Sequence, residues 1–309
     1  MNKRASFGNH VPKTFDDPER LPISEQEAAQ WQAANATFWQ DNPMRYDWRE
    51  SVGHAEGTKE FFEEIDRRFL EEIRYVMPWK KIPFDNLVPF DELKDMRVLE
   101  IGVGMGTHAG LIAPRALHYT GIDVTEKAVG LTGQRMRGMG VDADIRQMDA
   151  ERLDFPDAAF DFVWSWGVIH HTSNTRKVVQ EIHRVLKPRG RAVIMVYHRG
   201  WWNYYTVGTL AHGVLRGGFF KHGSLARVVQ ANTDGALARY YSRASFKRMV
   251  MPPFVADEMF ITGNKSDVLP MPGGRLKTAI LRAIPNPLAR CLLGPLSMGS
   301  LLVARLRKA

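Results

Sequence analysis

The stretch RVLEIGVGMGTHAG, residues 97–110, decides the fold of this chain. The apolar run RVLEI predicts a short buried strand, and Gly102, Gly104 and Gly106 then alternate with other residues before a predicted helix. Glycines at a strand-to-helix turn permit unusual backbone dihedrals and let a ligand touch the backbone. The helix start also offers unpaired N–H groups to an anion. The turn alone is a weak signal, because several nucleotide cofactors use one and a tight turn without a ligand remains the alternative.

Strands and helices alternate downstream of this turn. Alternation of this kind predicts right-handed βαβ units and a parallel sheet that is covered on both faces. The expected fold is therefore α/β, with a Rossmann-like, seven-stranded, mostly parallel sheet and helices on both faces. The strands are predicted at 97–102, 118–124, 143–149, 160–167, 190–198, 255–263 and 299–309, with helices at 125–140 and 174–188.

Segments outside this alternation predict additions to the core. Ser24 and Glu27 have the spacing of a capping box at the start of a helix. A strongly amphipathic pattern predicts a second helix over 57–77. The chain is thus expected to have an N-terminal helical cap, a cofactor-binding core, an inserted aromatic-rich lid, and the last strands with a basic, apolar and helical insertion. These four parts are predicted at 1–95, 96–198, 199–254 and 255–309.

Composition limits the class of protein. The 309 residues are 44% hydrophobic and 25% charged, which is typical of a soluble globular protein. Cys291 is the only cysteine, so a disulfide framework is excluded. No apolar leader segment is visible at the N-terminus, and no apolar run approaches the roughly 18 residues of a membrane span. A cytoplasmic location is expected.

The net charge of +8 is concentrated near the C-terminus. Asp267 is the last acid in the chain, and seven basic residues follow it. Such a segment fits an anionic membrane surface or a nucleic acid, although a solvated basic surface is the simpler explanation. Peripheral membrane contact through 275–309 is one expectation. The basic residues are Arg275, Lys277, Arg282, Arg290, Arg305, Arg307 and Lys308.

Two acids end successive predicted strands. Asp123 ends the second strand, 21 positions after Gly102, where an acid typically accepts from the ribose hydroxyls of an adenosine. Asp149 ends the third strand, where a carboxylate can accept from an exocyclic amine such as adenine N6. Either acid alone could be a helix N-cap. Together with the glycines they favour a nucleoside site.

This constellation closely resembles the class I S-adenosylmethionine-dependent methyltransferases over residues 96–198. In that family an acid precedes a G-x-G-x-G turn, as Glu100 does here, and acids follow the second and third strands, as in TGIDVTEKAV and MDAERL. The stretch FDFVWSWGVIHHTSNTRKVVQEIHRVLKPRGRAVI resembles the subgroup of ubiquinone/menaquinone-type and natural-product methyltransferases. These motifs are specific for the cofactor and uninformative about the acceptor.

The resemblance implies S-adenosylmethionine as the cofactor, without a metal. Its amino-acid carboxylate is expected at the N–H groups of residues 104–107. Glu100 either contributes to the field around the cofactor's cationic groups or only orders the turn. Trp166 is expected at the adenine or the acceptor, although a pair such as Trp164 and Trp166 is commonly core packing. The expected cofactor-binding residues are Glu100, Gly102, Gly104, Gly106, Thr107, Asp123, Val124, Asp149, Ala150 and Trp166.

The acceptor is expected beside His170 and His171, after the fourth strand. Either histidine is a candidate base near neutral pH, with loop ordering as the alternative role. Aromatic residues of the cap and lid favour an acceptor that becomes cationic, such as an amine or thioether. Tyr46, Arg199 and Arg243 are candidates to hold a carboxylate, which would indicate an amino-acid-like acceptor. The expected substrate-binding residues are Tyr46, Trp48, Arg199, Trp201, Tyr241 and Arg243.

The predicted function is methyl transfer to a small-molecule amine, thioether or hydroxyl, with release of S-adenosylhomocysteine. One alternative is an RNA or protein methyltransferase that docks through the basic C-terminal segment, although Leu, Ile and Pro interrupt that segment. An NAD-dependent oxidoreductase would want a third glycine at position 107, which is Thr107. An adenosine-binding regulator without catalysis is a further alternative. Nucleic acid is not an expected partner, and the oligomeric state is left open.

Overall fold

One mostly parallel sheet organises the chain in a computed structural model that describes residues 15–47, 50–271 and 274–309. The strand order is β3-β2-β1-β4-β5-β8-β7, and the short β6 pairs with β5. β8 runs antiparallel to both of its neighbours, while the other pairs are parallel. The strands are β1 Arg97–Ile101, β2 His118–Asp123, β3 Asp144–Gln147, β4 Phe160–Trp166, β5 Leu186–His198, β6 Tyr240–Tyr241, β7 Phe254–Thr262 and β8 Leu301–Lys308.

The predicted α/β sheet is confirmed, with two differences. The two-residue β6 is an eighth strand, too short to leave a periodic signal in the sequence. β5 begins at Leu186, not at residue 190, because its first residues pair with Phe160 of β4 while α5 has already ended at Val185. The chain direction across the sheet reverses between β1 and β4, and that switch point is where ligands of such sheets bind.

Apolar side chains fill both faces of the sheet. On β1, Leu99 and Ile101 face one cluster, which includes the buried stripe of α5 (Thr175–Val185). Val98 faces a second cluster, which includes residues of α2 (Lys59–Arg74) and α3 (Thr107–Ile112). Alternate residues of a strand point to opposite faces, so β1 has helices on both sides, as the sequence predicts.

Both N-terminal helices begin at a capping side chain, and the sequence predicts the first of these caps, Ser24. Ser24 accepts a hydrogen bond from the Glu27 N–H and begins α1, Glu25–Asp41. Thr58 accepts from the Phe61 N–H and begins α2. The buried face of α2 carries Phe61, Phe62, Ile65, Phe69 and Ile73.

The segment between β5 and β7 is helical in most of its length. It opens with a π-helix, Trp201–Leu215, followed by α6 (Gly218–His222), α7 (Leu225–Gln230) and, after β6, α8 (Arg243–Val250). The predicted helical insertion before the last strand is confirmed as α9 (Arg275–Ala283) and α10 (Asn286–Leu293). α4 spans Glu126–Gly138 with Thr125 as its N-cap. The four-part division of the chain stays a prediction.

Candidate active site

The turn after β1 needs its glycines for two different reasons. Gly102, Gly104 and Gly106 all have positive φ, at 82°, 52° and 75°. A Cβ on Gly102 would lie 2.2 Å from Cγ2 of Val168, so the turn passes against the loop after β4 only without a side chain. A Cβ on Gly104 would meet no described atom within 4 Å. Gly104 thus borders open space, and a ligand can approach its backbone there.

Asp123 at the end of β2 is fixed against this turn. Its Oδ2 accepts a hydrogen bond from the Gly104 N–H at 3.1 Å. Its Oδ1 accepts from the Thr125 backbone N–H at 3.0 Å and from the Thr125 hydroxyl at 2.9 Å. Burial raises the pKa of Asp123, and these hydrogen bonds oppose that rise. The neighbouring Val124 is half-buried and its carbonyl accepts from Gln147.

Glu100 lies beneath the turn, inside the core. Its Oε2 accepts a hydrogen bond from the Tyr119 hydroxyl, and its Oε1 lies 3.7 Å from His108 Nδ1. Burial raises the pKa of Glu100 to about 8, against the opposing effect of the Tyr119 hydrogen bond. Burial also lowers the pKa of His108 to about 3. These pKa shifts favour the neutral form of both side chains at pH 7, and the hydrogen bond of Glu100 goes to Tyr119 of β2.

Helix α2 binds the turn from the cap side. Asp66 Oδ1 accepts from the Thr107 hydroxyl at 2.8 Å and from Arg135 at 2.9 Å. Arg135 is itself almost fully buried. Thr132, one turn earlier on α4, donates to the Gly104 carbonyl at 3.1 Å. Neither Asp66 nor Arg135 could be recognised from the sequence, because each lies within an ordinary amphipathic helix.

Helix α1 covers the edge of the sheet where β3 ends. Asp149 Oδ1 accepts from Gln32 Nε2 and from the Glu151 N–H, both at 2.9 Å. Gln32 Oε1 in turn accepts from the Ser173 N–H at 3.1 Å, in the loop after β4. Gln32 therefore bridges two strand ends from above. Ala150, beside Asp149, is buried in the core.

The remaining residues of α1 extend this cover in two directions. Gln40 Oε1 accepts from the Lys127 N–H in the first turn of α4, at 3.2 Å. The Trp39 ring packs edge-on against His171, with 5.0 Å between the ring centroids. Since α1 spans from the start of α4 to the loop after β4, it lies across the carboxyl ends of β2, β3 and β4.

His170 and His171 are both buried after β4, in different environments. His171 Nδ1 lies 2.8 Å from the Leu237 carbonyl oxygen, which only accepts, so Nδ1 carries the proton and Nε2 the lone pair. A Cβ on Gly235 would lie 2.5 Å from this Nδ1, so the loop fits only with glycine there. The ring nitrogens of His170 have no hydrogen-bond partner among the described residues. Burial lowers the pKa of both histidines.

Tyr197 packs against both histidines and connects them to a carboxylate. The Tyr197 ring lies 4.0 Å from that of His170, and its hydroxyl donates to Asp234 at 2.7 Å. Tyr240 packs 5.3 Å from Tyr197. Burial raises the pKa of Tyr46, and Glu72 and Asp234 add to that rise. Asp234 is followed by Gly235, a pair typical of an exposed turn, so only the fold reveals that Asp234 lies beside Tyr197.

Several predicted acceptor residues are engaged elsewhere. Arg199 pairs with Glu19 at 2.6 Å, and Arg243 donates to the Met259 carbonyl. Tyr241 is buried, with its ring 5.6 Å from that of Phe246. Trp201 is exposed and donates to the Leu296 carbonyl at 2.8 Å. The structure therefore does not assemble the predicted carboxylate-holding set, and Trp48 lies outside the described residues.

Trp166 packs in the core next to the site. Its ring stacks on Trp164 at 5.4 Å with 5° between the planes, so the two share a face as predicted. It also packs against Phe84 at 5.0 Å. A role at the adenine or acceptor stays a prediction for Trp166.

Sequence and structure comparisons agree with this geometry. Residues 99–194 match the family model described as a methyltransferase domain. The core is a class I S-adenosylmethionine-dependent methyltransferase domain. Within this methyltransferase domain lie the glycine turn, Asp123, Asp149 and both histidines.

Curated relatives match this chain only within the methyltransferase domain and over part of their own length. The uncharacterized methyltransferase YcgJ of Bacillus subtilis is 36% identical over 103 residues, 33% of this chain and 41% of its own length. A phosphatidylethanolamine N-methyltransferase of Cereibacter sphaeroides is 37% identical over 101 residues, 32% of this chain and 49% of its own. The matches thus span less than half of each relative's length.

A solved structure shares the fold over a longer range. The geranyl diphosphate C-methyltransferase of Streptomyces coelicolor A3(2), solved with Mg2+, geranyl diphosphate and S-adenosyl-L-homocysteine, aligns with a TM-score of 0.53 at 14% identity. The alignment covers 93% of this chain and 100% of that one. The shared fold therefore extends beyond residues 99–194.

Proposed function

We propose that this chain transfers the methyl group of S-adenosylmethionine to the nitrogen of a small-molecule amine and releases S-adenosylhomocysteine. The observation that carries the proposal is the cluster of His171, Tyr197 and Asp234. Tyr197 packs against His171 with 5.5 Å between the ring centroids and donates to Asp234 at 2.7 Å.

The residues of the glycine turn fit the nucleoside cofactor. Open space borders Gly104, and the Asp123 carboxylate faces that turn with fixed orientation. Asp123 would accept from the ribose hydroxyls, and Asp149 from the adenine amine. When bound, the cofactor supplies a methyl group already activated by its sulfonium charge.

The chain's own contribution is to hold the amine, exclude water and accept a proton. Asp234 and the faces of Tyr46, Tyr197 and Tyr240 favour a cationic nitrogen. His171 Nε2 carries the lone pair and would accept a proton from the bound ammonium group. The nitrogen lone pair is then available for the methyl group, and S-adenosylhomocysteine is the leaving group. α1, with Trp39 over His171, shields this position from water.

The acidity of His171 sets the pH range of the reaction. Burial lowers the pKa of His171 below its ordinary value of 6.5, so the ring is neutral at pH 7 and can accept a proton. Activity should therefore persist as the pH falls to 6.5 and decline only at more acidic pH. Replacing His171 by Gln should remove that acidic limb.

The deciding experiment incubates the full chain with methyl-labelled cofactor and a panel of amines, phenols, thioethers and carboxylates. We expect labelled product among the amines, with equimolar S-adenosylhomocysteine. For the labelled amine, His171→Gln should lower kcat by about 100-fold or more. His118→Gln, at the opposite end of β2, is the matched control and should leave kcat unchanged.

Other outcomes reject the proposal. Label confined to phenols or thioethers would reject the amine as acceptor. Full activity of His171→Gln would reject its role as the base. Label found only in added RNA or protein would favour a macromolecular methyltransferase instead.

A further inference from the structure

We propose that the surface formed by exposed residues of 201–233 and 274–296, here called the acid-free face, docks on an anionic lipid bilayer. This inference concerns where the protein binds and is independent of the acceptor proposed above. It rests on a stripe of exposed apolar side chains, on the local charge and on the contacts that join the two segments.

The π-helix exposes an apolar stripe. Trp201, Tyr205, Leu210 and Val214 are all exposed, at intervals of four or five residues that fit the i→i+5 hydrogen bonding of this helix. The residues that alternate with them, Tyr204, Gly208 and Gly213, are buried. The stripe is thus the outer side of an anchored helix.

The stripe continues into the most exposed apolar side chains of this region. Leu215 is 83% exposed and Phe220 is 97% exposed. Single exposed apolar residues need no explanation, but a continuous stripe that ends in a fully exposed Phe indicates a surface for an apolar partner.

The charge of both segments has one sign. The sequence has no Asp or Glu from Trp201 to Thr233, and none after Asp267. Arg216 and Lys221 flank Leu215 and Phe220, and both are exposed. In the second segment, Arg275 and Arg282 are exposed on α9, with Leu276 exposed between them.

Hydrogen bonds join the two segments. Trp201 Nε1 donates to the Leu296 carbonyl at 2.8 Å, and Asn203 donates to the Met298 carbonyl at 2.5 Å. Asp267 lies at this junction, where its carbonyl accepts from Trp202 Nε1 at 2.9 Å and its Oδ2 accepts from the Ser300 hydroxyl at 2.6 Å. The two acid-free segments therefore adjoin, and the Asp267 carboxylate at their junction is hydrogen-bonded within the fold.

The structure also reduces the number of basic residues that are available for the membrane contact expected over 275–309. Arg305 pairs with Glu258 at 3.2 Å, and Arg307 pairs with Asp257 at 3.3 Å, both across the β7–β8 pair. Lys308 donates to two main-chain carbonyls. These three basic residues of β8 are thus paired within the fold, and the contact moves to α9, α10 and the π-helix.

Lipid fits this face better than the other partners do. Apolar side chains that insert below the headgroups, next to cations that reach lipid phosphates, are the pattern of interfacial helices. A second copy of this chain would place two positive surfaces against each other, which is unfavourable. No helix in the described ranges is long and apolar enough to cross a bilayer, so contact would be peripheral.

The test is co-sedimentation of the full chain with vesicles of phosphatidylcholine containing about 30% phosphatidylserine, at low and high salt. We expect pelleting at low salt, about tenfold stronger than with pure phosphatidylcholine. Leu215→Ser/Phe220→Ser and, separately, Arg216→Glu/Lys221→Glu should each weaken binding about tenfold. The control Ile23→Ser/Leu117→Ser removes two apolar side chains exposed elsewhere and should bind as the parent does.

Several results would overturn the inference. The inference is wrong if the protein does not pellet with the anionic vesicles at low salt, or if both double variants bind these vesicles as strongly as the parent does. It is also wrong if the control variant loses as much vesicle binding as the two double variants do. A dimer in light scattering that Leu215→Ser/Phe220→Ser dissociates would assign the face to a second copy. Salt-sensitive binding of RNA that is tighter than binding of the anionic vesicles would assign it to nucleic acid.

Discussion

The end of the sheet around the glycine turn, residues 102–106, is here called the glycine-turn edge. It and the acid-free face use polar groups in opposite ways. At the edge, Asp66, Asp123 and Asp149 each accept at least two hydrogen bonds from the protein. On the acid-free face, exposed apolar side chains lie beside cations with no carboxylate in either segment. The comparison shows that one region fixes its acceptors in place before a small ligand binds. The acid-free face leaves apolar groups and charges exposed, where a large surface can contact them.

Removal of a fixed acceptor at the edge should have the largest effect. Asp123→Asn loses the charged acceptor for the ribose hydroxyls, and hydrogen bonds to charged groups contribute about 1.5–3 kcal/mol each. We expect the Kd for S-adenosylhomocysteine, measured by calorimetry, to rise about 100-fold. Asp144→Asn, at the other end of the neighbouring strand, is the control. A change below about twofold in Asp123→Asn would break the comparison.

The link between α2 and the turn should matter next, for stability. Asp66→Asn leaves the buried Arg135 without its anionic partner, which should cost about 2 kcal/mol of unfolding free energy, measured in urea. Glu63→Gln, on the same helix, breaks only an exposed pair with Lys59 and should cost less than about 0.5 kcal/mol. Equal effects of the two variants would contradict a structural role for Asp66.

The neutral Glu100 should give the fold a distinctive alkaline sensitivity. A carboxyl whose pKa is raised on folding stabilises fully below its unfolded pKa near 4.5 and loses that contribution as the pH rises through about 8. Glu100→Gln stays neutral. Between pH 6 and 7.5, the unfolding free energy of the variant minus that of the parent should therefore increase by about 2 kcal/mol. A constant difference across that range would show that Glu100 is ionised in the folded protein.

Gln32 tests whether α1 takes part in cofactor binding. Gln32→Ala removes the bridge from α1 to Asp149 and Ser173, at about 1 kcal/mol, so the Kd for S-adenosylhomocysteine should rise about fivefold. Gln30→Ala, exposed on the same helix, should leave the Kd unchanged. Identical affinities in the two variants would remove α1 from the site.

The smallest effect is expected on the acid-free face. Phe220→Ser should change the unfolding free energy by less than about 0.5 kcal/mol, because this side chain is almost fully exposed. The buried Phe246→Ala should cost about 3–5 kcal/mol in the same assay. A large loss in Phe220→Ser would mean that the fold itself covers this face.

Local patterns were enough to predict the framework of the edge. The cap Ser24, the strand that ends at Asp123, the helix that follows it and the glycine turn come from short-range rules of capping and periodicity, and all are confirmed as structural elements. β6 and the early start of β5 were missed, because both depend on pairing with distant strands. The sequence predicts the residues of the π-helix only as part of a lid, since no sequence rule specifies the hydrogen bonding of such a helix.

The sequence by itself determined the fold class and the two strand-end acids, because the backbone rules for strands, glycine turns and caps act over a few residues. Its resemblance to a known family indicated the cofactor. Only the tertiary structure decided that Glu100 is neutral and that Gln32 reaches Asp149 over more than a hundred residues. It alone also decided that acids of β7 form ion pairs with Arg305 and Arg307 of β8. Burial and charge pairing depend on neighbours in space, and the order of residues along the chain does not reveal those neighbours.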